Sequence, residues 1–235
     1  MLKAAALKTV VITGANRGIG LAMTHLCQQR NYQVYALCRQ SSPQLDNLGA
    51  QSNVTIVTDI ELVTRQGIDN IVAALKNVTI DILINNAGIL RIENLADLNT
   101  TTISEQFNVN ALAPLVLSHT LLNNLSAGSK IAMITSRMGS VTDNTSGGLY
   151  GYRMSKAALN IAAVSLAQDL APKEIAVGIY HPGYVQTDMV NSAGATVNGD
   201  ISSDEAATRL LDLIEELTLS DSGVFRHANG VILPW

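Results

Sequence analysis

The chain has 235 residues, of which 15 are basic and 19 are acidic, and its formal net charge at pH 7 is −4. That acidic balance argues against a nucleic-acid-binding protein, because such proteins normally present a basic face. Charged residues make up 14% of the chain and hydrophobic residues 47%, so the composition predicts a large buried core and excludes a disordered protein.

Short apolar runs alternate with helical hydrophobic patterns along the chain. In chain order we predict strand Thr9–Thr13, helix Gly18–Arg30, strand Tyr32–Cys38, strand Val54–Val57, an amphipathic helix marked by Ile68, Ile71, Val72 and Leu75, strand Ile80–Ile84, helix Thr102–Leu125, strand Lys130–Thr135, helix Tyr150–Leu170, strand Ile175–Tyr180, helix Glu205–Leu217 and a last strand Gly230–Leu233. Strands that are apolar throughout are typical of a parallel sheet covered on both faces. We therefore predict an α/β fold: a doubly wound parallel sheet of about seven strands with helices on both faces, in a single domain over residues 1–235.

The segment Gln186–Ser203 has no hydrophobic period and is rich in Asn, Ser, Gly and Asp. Long irregular loops in compact domains are often functional. Because this segment follows the sixth predicted strand, we expect it to form a lid over the substrate.

No uninterrupted apolar run approaches the roughly 20 residues that span a bilayer, and Met1–Lys8 lacks the apolar stretch of a signal peptide. The two cysteines, Cys27 and Cys38, form no CxxC motif and have no His or Cys at metal-ligand spacing. We therefore expect a cytoplasmic protein with reduced thiols, no metal site and no membrane partner.

A glycine-rich turn, TGANRGIG from Thr13 to Gly20, joins the first strand to the first helix. Glycines allow a sharp turn and a close approach to a phosphate, and the following helix offers free N–H groups and a positive dipole. The spacing GxxxGxG differs from the general GxGxxG fingerprint. In the first strand–helix turn of a doubly wound sheet, the motif still predicts a dinucleotide site of the Rossmann type.

The residues after the second strand predict which dinucleotide binds. An acid there contacts the ribose 2′-hydroxyl of NAD, whereas an Arg accommodates the 2′-phosphate of NADP. This chain has Arg39 at that point and no acid until Asp46, and Arg17 adds a second guanidinium inside the glycine turn. Two guanidinium groups bind a phosphate strongly, so we predict NADP(H) as the cofactor.

Tyr152 and Lys156 are spaced i and i+4, on one face of a predicted helix. A phenol with a pKa of about 10 is a weak acid–base catalyst at neutral pH, and a nearby ammonium lowers that pKa. Tyr150 does not qualify, because Met154 lies four residues after it. Taken alone, the pair is better explained as an ordinary pair on an amphipathic helix.

Polar residues at the ends of other predicted strands strengthen the case for a site. Ser136 ends the fifth strand, the NNAG motif Asn85–Gly88 ends the fourth, and Asp59 ends the third. In open α/β sheets, ligands bind beyond the carboxyl ends of the strands. These residues therefore share one edge of the predicted sheet with the glycine turn.

Five motifs, TGANRGIG, NNAG, Ser136, YRMSK and His181-Pro182-Gly183, occur in the order expected of the short-chain dehydrogenase/reductase family, which the chain resembles over essentially its whole length. Within that family, residues 136–160, the segment HPGYVQTDM and the closing NGVILPW are similar to carbonyl reductases of the sniffer and C-factor type.

The resemblance implies four catalytic residues. Tyr152 would donate a proton to a ketone or aldehyde oxygen, and Ser136 would hold that oxygen by a hydrogen bond. Lys156 would bond the nicotinamide ribose and lower the tyrosine pKa. Asn110, in the segment FNVNALAP, would hold a water in the proton relay to the lysine.

The resemblance also implies the cofactor contacts, to which Arg39, Tyr152 and Lys156 belong as well. The pyrophosphate and adenosine ribose would meet Gly14, Asn16, Arg17, Gly18, Ile19 and Gly20; the adenine would meet Asp59 and Ile60; the adenosine and ribose would meet Asn86, Ala87 and Gly88; and the nicotinamide amide would meet Pro182, Gly183, Val185 and Thr187.

These observations favour an NADPH-dependent reductase of a small-molecule carbonyl, which would be an aldehyde, a ketone or a quinone. Two alternatives stay open: a signalling or regulatory dinucleotide-binding protein of the C-factor type, and an NADP-dependent alcohol dehydrogenase working in the reverse direction. The helices at Thr102–Leu125 and Tyr150–Leu170 match those that form subunit interfaces in the family, so the resemblance implies a homo-oligomer, with a dimer favoured.

Overall fold

The computed structural model describes residues 7–51, 53–187, 189 and 200–235. Its strands are β1 Thr9–Thr13, β2 Gln33–Leu37, β3 Val54–Val57, β4 Ile80–Asn85, β5 Leu125–Ile134, β6 Ala176–His181 and β7 Phe225–His227. They form one parallel sheet in the order β3-β2-β1-β4-β5-β6-β7. This arrangement confirms the predicted Rossmann fold with a seven-stranded parallel sheet.

Helices cover both faces of this sheet. They are α1 Gly18–Gln29, α2 Pro43–Gly49, α3 Arg65–Ala74, α4 Thr100–Phe107, α5 Ala113–Thr120, α6 Tyr150–Leu170 and α7 Ser203–Glu216. Alternate residues of a strand point to opposite faces, and here both faces are buried. Val11 of β1 belongs to the core under α3, α5 and α6, whereas Val10 and Ile12 belong to the core under α1 and α7. Two-sided burial is the reason that the strands are apolar throughout.

The single helix predicted over Thr102–Leu125 is wrong. α4 is followed by a π-helical turn, Asn108–Leu112, and then by α5, and β5 already begins at Leu125. The Ala113 N–H donates to the carbonyl of Asn108, five residues earlier, and Pro114, in the first turn of α5, has no N–H to continue the ladder. The apolar period continues through these breaks, which is why the pattern does not reveal them.

Two further elements differ from the prediction. The last strand is Phe225–His227, and the predicted strand Gly230–Leu233 instead folds back on it after a turn in which Gly230 has φ +90°. The returning segment donates from Leu233 N–H to Phe225 O at 2.9 Å. The short helix α2, which was not predicted, is capped by Ser42, whose hydroxyl accepts a hydrogen bond from the Leu45 N–H.

Most of the predicted lid, Gln186–Ser203, lies outside the described residues. Its described ends are joined by a hydrogen bond of 3.0 Å from Gln186 N–H to Ile201 O, and Ser202 caps α7 through the Glu205 N–H. None of the helices in the described part of the chain combines the length and apolar character needed to cross a membrane.

Candidate active site

A cavity of about 800 Å³ opens at the carboxyl edge of the sheet, where the strands of a doubly wound fold place their ligands. It brings together most of the residues that the sequence analysis assigns to a cofactor. The predicted residues that line it are Gly14, Asn16, Arg17, Gly18, Ile19, Gly20, Arg39, Ile60, Asn86, Ala87, Gly88, Tyr152, Lys156, Pro182 and Thr187.

The glycine turn between β1 and α1 presents backbone without side chains to the cavity at Gly14, Gly18 and Gly20. Gly14 and Gly18 have φ values of +67° and +52°, which other residues rarely adopt. A β-carbon on Gly20 would lie 2.2 Å from the carbonyl oxygen of Gly14, so only glycine fits there. The first turn of α1 has neither an acidic residue nor a side-chain cap. A bare helix N-terminus of this kind fits the diphosphate of a dinucleotide.

The glycine turn is held against the NNAG motif by polar contacts. The Thr13 hydroxyl accepts hydrogen bonds from the Asn86 and Ala87 N–H groups, both at 3.0 Å. The Asn86 side-chain amide donates to the Thr13 carbonyl at 2.9 Å. The ends of β1 and β4 are therefore fixed relative to each other, and the cavity wall between them is preformed.

Arg39 follows β2 and lines the cavity together with Arg17, as the cofactor prediction requires. The Arg39 side chain is 67% exposed and forms an ion pair with Glu61 at 3.7 Å. Asn16 donates from its side chain to the carbonyl of Gln40 at 3.0 Å, which ties the glycine turn to the end of β2. Glu61 also lines the cavity, and the sequence analysis does not single it out.

Tyr152 and Lys156 lie on buried positions of the first turns of α6. The Lys156 ammonium is 5.8 Å from the centroid of the Tyr152 ring and donates to the carbonyl of Ile134 at 2.9 Å. Ser136 follows the end of β5, and its hydroxyl accepts a hydrogen bond from the Met138 N–H at 3.1 Å. A β-carbon on Gly139 would lie 2.7 Å from the carbonyl carbon of Lys156, so the chain after Ser136 packs directly on α6.

Burial is the main cause of the pKa shifts of Tyr152 and Lys156. It raises the pKa of Tyr152, and the hydrogen bond with Ser136 lowers that pKa only in part. Burial also lowers the pKa of Lys156 from 10.5 to about 8. The raised tyrosine pKa differs from the lowered pKa that the resemblance implies, because loss of water from around the phenol disfavours the phenolate. A phenol that stays protonated at neutral pH is suited to donating a proton.

Asn110 lies inside the π-helical turn and is fully buried. Its side-chain oxygen accepts from the Ile89 N–H at 2.8 Å, and its amide donates to the Ile89 carbonyl at 2.8 Å and to the Ser155 hydroxyl at 3.0 Å. Ser155 in turn donates to the carbonyl of Tyr152 at 2.8 Å. Asn110 therefore joins the NNAG segment to the helix that carries the tyrosine.

Three residues predicted to contact the cofactor do not line the cavity: Asp59, Gly183 and Val185. Asp59 has left-handed backbone (φ +60°) and an exposed side chain that accepts from the Thr58 hydroxyl. A side chain at Gly183 would point towards Ile201 and the ring of His227. Val185 is buried and pairs with Ile201, which joins the segment after β6 to the residues before α7.

Several cavity residues were not found from the sequence. They are Leu37, Cys38, Glu61, Leu62, Val63, Ile89, Arg91, Glu105, Asn108, Val109, Ile134 and Thr135. Asn108 and Val109 directly precede Asn110 in the segment FNVNALAP, so that motif could have indicated them. Within the described residues, no group of three or more His, Cys, Asp and Glu side chains is placed to hold a metal ion.

A cavity of about 800 Å³ at the strand ends, beside a glycine-rich turn, is typical of nucleotide-binding α/β proteins. Comparison with known proteins makes this class specific. The short chain dehydrogenase family matches residues 8–198. The chain belongs to this family, whose members are oxidoreductases that bind a nicotinamide cofactor.

Individual relatives agree with this assignment. The chain is 31% identical over 231 residues to 1-hydroxy-2-glutathionyl-2-methyl-3-butene dehydrogenase of Rhodococcus sp. (strain AD45), covering 97% of this chain and 100% of the relative. It is 40% identical over 159 residues to C-signal of Myxococcus xanthus, covering 66% of this chain and 93% of that protein. The structure is similar to NADPH-bound carbonyl reductase from chicken fatty liver, with a TM-score of 0.87, 30% identity and coverage of 97% and 99%.

Proposed function

We propose that the protein is an NADPH-dependent reductase of a small-molecule aldehyde, ketone or quinone, with Tyr152 as the proton donor. The observation that carries this proposal is that Tyr152 and Lys156 line the same cavity as Arg17 and Arg39. The tyrosine and lysine supply acid–base chemistry, and the arginines supply a site for a 2′-phosphate. The likeness to an NADPH-bound carbonyl reductase supports the same function.

Negative charge develops on a carbonyl oxygen when the carbon receives a hydride, and hydroxyl donors stabilise that charge. The nicotinamide cofactor supplies the hydride when bound. In our proposal the Ser136 hydroxyl holds the oxygen, and the Tyr152 hydroxyl donates the proton to it. The Ser136 hydroxyl lowers the pKa of Tyr152, which supports a role for both side chains at the same oxygen atom.

Lys156 and Asn110 complete the proposed site. An ammonium has three N–H donors, so Lys156 can bond a ribose while it donates to the Ile134 carbonyl. We propose the widened turn that contains Asn110 as the place where a water enters the proton relay to the lysine. Turns of this π-helical type occur frequently at functional sites. The side-chain amide of Asn110 is occupied by Ile89 and Ser155, which favours backbone groups as the partners of that water.

A direct test is to incubate the purified protein with NADPH and a panel of aldehydes, ketones and quinones, and to follow NADPH oxidation by absorbance. We expect turnover of at least one carbonyl class. If NADPH binds, as measured by calorimetry, but no compound causes its oxidation, the reductase proposal is wrong.

We also propose that Arg39 selects NADPH through the 2′-phosphate. Replacing Arg39 by Ser is expected to raise KM for NADPH roughly tenfold, since a hydrogen bond to a charged group contributes about 1.5–3 kcal/mol. KM for NADH should stay within about twofold, because NADH has no phosphate at this position. Replacing Glu61 by Gln should lower KM for NADPH about threefold, since it removes a carboxylate 3.7 Å from that guanidinium.

A matched control for Arg39→Ser is Arg65→Ser on α3. Arg65 is also an exposed arginine with a carboxylate partner, Asp69, and it does not line the cavity. Its replacement should leave KM for both cofactors unchanged. Equal losses of NADPH and NADH affinity in Arg39→Ser would contradict a role in recognising the 2′-phosphate.

The likeness to C-signal keeps a second candidate function, a signalling or regulatory dinucleotide-binding protein. In that case a cellular phenotype of the protein would survive the change of Tyr152 to Phe. The reverse reaction, an NADP-dependent alcohol dehydrogenase, uses the same residues. Its direction is set by the ratio of oxidised to reduced cofactor, so assays in both directions separate it from the reductase.

We propose that the protein works in the cytoplasm, which its two free, buried cysteines favour, and that it forms a homodimer. Exposed apolar side chains on consecutive helices support the dimer: Phe107 on α4, Val116 on α5, and Met154 and Ile161 on α6. Ile161 is 65% exposed, although long apolar side chains on helices normally face a core.

Replacing Ile161 by Glu is expected to convert the dimer to a monomer in size-exclusion chromatography with light scattering, because a charge would be buried at the interface. Val72→Glu on α3 is the matched control, since Val72 is also an exposed apolar residue on a helix. A wild-type protein that elutes as a monomer would overturn the dimer proposal, and a dimer that persists in Ile161→Glu would place the interface elsewhere.

A further inference from the structure

Glu93, in the segment between β4 and α4, is a carboxylate that is only 1% exposed, and the proposed chemistry does not use it. One of its oxygens accepts hydrogen bonds from the Thr102 hydroxyl and from the Gln106 side-chain amide, both at 2.7 Å. Its other oxygen accepts from the Gly151 N–H at 3.3 Å, and its backbone carbonyl accepts from the Leu149 N–H at 2.9 Å. All these partners are donors, which suits an ionised carboxylate.

The start of α6 depends on these contacts. The residue before the helix, Leu149, has left-handed backbone with φ +50° and provides no side-chain cap, and the first turn contains no acidic residue. Helix N-termini need acceptors for their free N–H groups and are stabilised by negative charge. Glu93 supplies both from a position 58 residues earlier in the chain than Gly151.

The close approach of the two segments requires a glycine at position 151. A β-carbon there would lie 2.4 Å from the Gln106 amide nitrogen and 3.1 Å from a Glu93 carboxylate oxygen. α4 and α6 therefore meet through Gly151, with the carboxylate between them. The hydrogen bonds of Glu93 to Thr102, Gln106 and Gly151 form a first bridge between α4 and α6. This bridge lies directly against the backbone that precedes Tyr152.

A second buried bridge lies one helical turn further along α6. The Asn110 amide donates to the Ser155 hydroxyl at 3.0 Å, and that hydroxyl donates to the carbonyl of Tyr152 at 2.8 Å. The first bridge therefore ends at the residue before Tyr152, and the second ends at the residue before Lys156. Together they fix the rotation and height of the first turn of α6 against α4 and the π-helical turn.

We infer that Glu93 is a positioning residue that holds the first turn of α6, and with it the Tyr152 hydroxyl, in the geometry for proton donation. The catalytic part of this inference rests on the proposed function. The structural part, that Glu93 orders the start of α6, stands on the hydrogen bonds alone.

Glu93→Gln tests the bridge with almost no change in volume. The amide nitrogen of the new side chain would face the Gln106 amide or the Gly151 N–H, so two donors would oppose each other. The Gln106 amide cannot flip without losing a hydrogen bond, because its oxygen accepts from the Arg91 N–H at 2.9 Å. We expect kcat to fall roughly ten- to a hundredfold, the size of effect that misplaced reacting groups produce, with NADPH affinity unchanged.

The double variant Glu93→Gln/Gln106→Glu exchanges the amide and the carboxylate and should restore the bridge. The amide at position 93 can then donate to the carboxylate at 106, and its oxygen can accept from Gly151. The carboxylate at 106 can still accept from the Arg91 N–H. We expect kcat to recover to within about threefold of wild type, since the reacting groups return to their positions.

Hydrogen–deuterium exchange by mass spectrometry gives a readout that does not depend on activity. Glu93→Gln should speed exchange in residues 149–156 at least severalfold and leave α7 unchanged, and the double variant should reverse the effect. Glu205→Gln is the matched control, because it removes an exposed carboxylate from the first turn of α7. It should change neither kcat nor exchange in α6.

Each outcome distinguishes the inference from the proposed function. A wild-type protein without reductase activity refutes the proposed function, and exchange in residues 149–156 still decides whether Glu93 orders α6. Unchanged exchange in Glu93→Gln overturns the inference, as does faster exchange over the whole chain, which would indicate general destabilisation. An active wild type whose kcat is unchanged by Glu93→Gln overturns the catalytic part.

Discussion

Replacing Tyr152 by Phe is expected to lower kcat for carbonyl reduction by roughly 10²- to 10⁴-fold, the contribution of a positioned proton donor. The change removes one hydroxyl and keeps the buried ring. NADPH affinity, measured by calorimetry, should change little, because the ring continues to line the cavity.

Tyr150→Phe is the control for this change, since Tyr150 begins the same helix and does not line the cavity. It should keep wild-type kcat. If Tyr152→Phe retains more than about a tenth of wild-type kcat, Tyr152 is not the proton donor, because general acid catalysis contributes at least about 10²-fold. A cellular phenotype that survives this change would favour the signalling alternative.

Replacing Lys156 by Met should lower kcat/KM about a hundredfold or more, since it removes both the cation next to the phenol and a donor to the ribose. In the wild-type protein, burial lowers the pKa of Lys156 to about 8, so the ammonium is lost as the pH rises through this value. We therefore expect kcat/KM for reduction to fall above a pH of about 8, as measured in pH–rate profiles.

Lys156→Arg separates the charge from its titration. A guanidinium stays protonated at every pH of the assay, so the fall above a pH of about 8 should disappear whatever activity remains. A wild-type profile with no fall between pH 7 and 9.5 would contradict the assignment, as would an identical fall in Lys156→Arg.

The titration of Lys156 also affects stability, which should rise with pH where kcat/KM falls. The unfolded chain has a lysine with the ordinary pKa of 10.5 and the folded protein has one of about 8, so between these values the unfolded state binds more protons. The free energy of unfolding therefore rises with pH from about 8 to 10.5, by about 3 kcal/mol, and the full penalty applies below a pH of about 8. The difference in unfolding free energy between wild type and Lys156→Met, measured by urea unfolding, should change by this amount between a pH of about 8 and 10.5.

The part of the cavity formed by the glycine turn was predictable because its shape depends on local backbone conformation. Gly14 and Gly20 are needed for the shape of one turn, and that turn is a short stretch of consecutive residues between a strand and a helix. The ends of β1 and β4 meet at one edge because parallel strands share direction. Residues that follow the parallel strands therefore lie at the same edge of the sheet.

Features that depend on contacts between distant segments were not predictable. Glu93 has no motif around it, and its role arises only because Gly151 comes close to Gln106. Glu61 similarly acquires a role from its ion pair with Arg39, 22 residues earlier by the numbering of the chain. The raised pKa of Tyr152 also depends on tertiary structure, since burial outweighs the opposing effect of the Ser136 hydroxyl.

Amino-acid order alone was enough to establish the parallel sheet, the glycine turn and the spacing of Tyr152 and Lys156, because each is encoded within a few consecutive residues. Tertiary structure decided where the helix around Asn110 breaks, which cavity residues surround the pair, and how strongly burial shifts its pKa values. Those properties depend on how segments pack and exclude water, and packing between segments far apart in sequence leaves no local pattern to read.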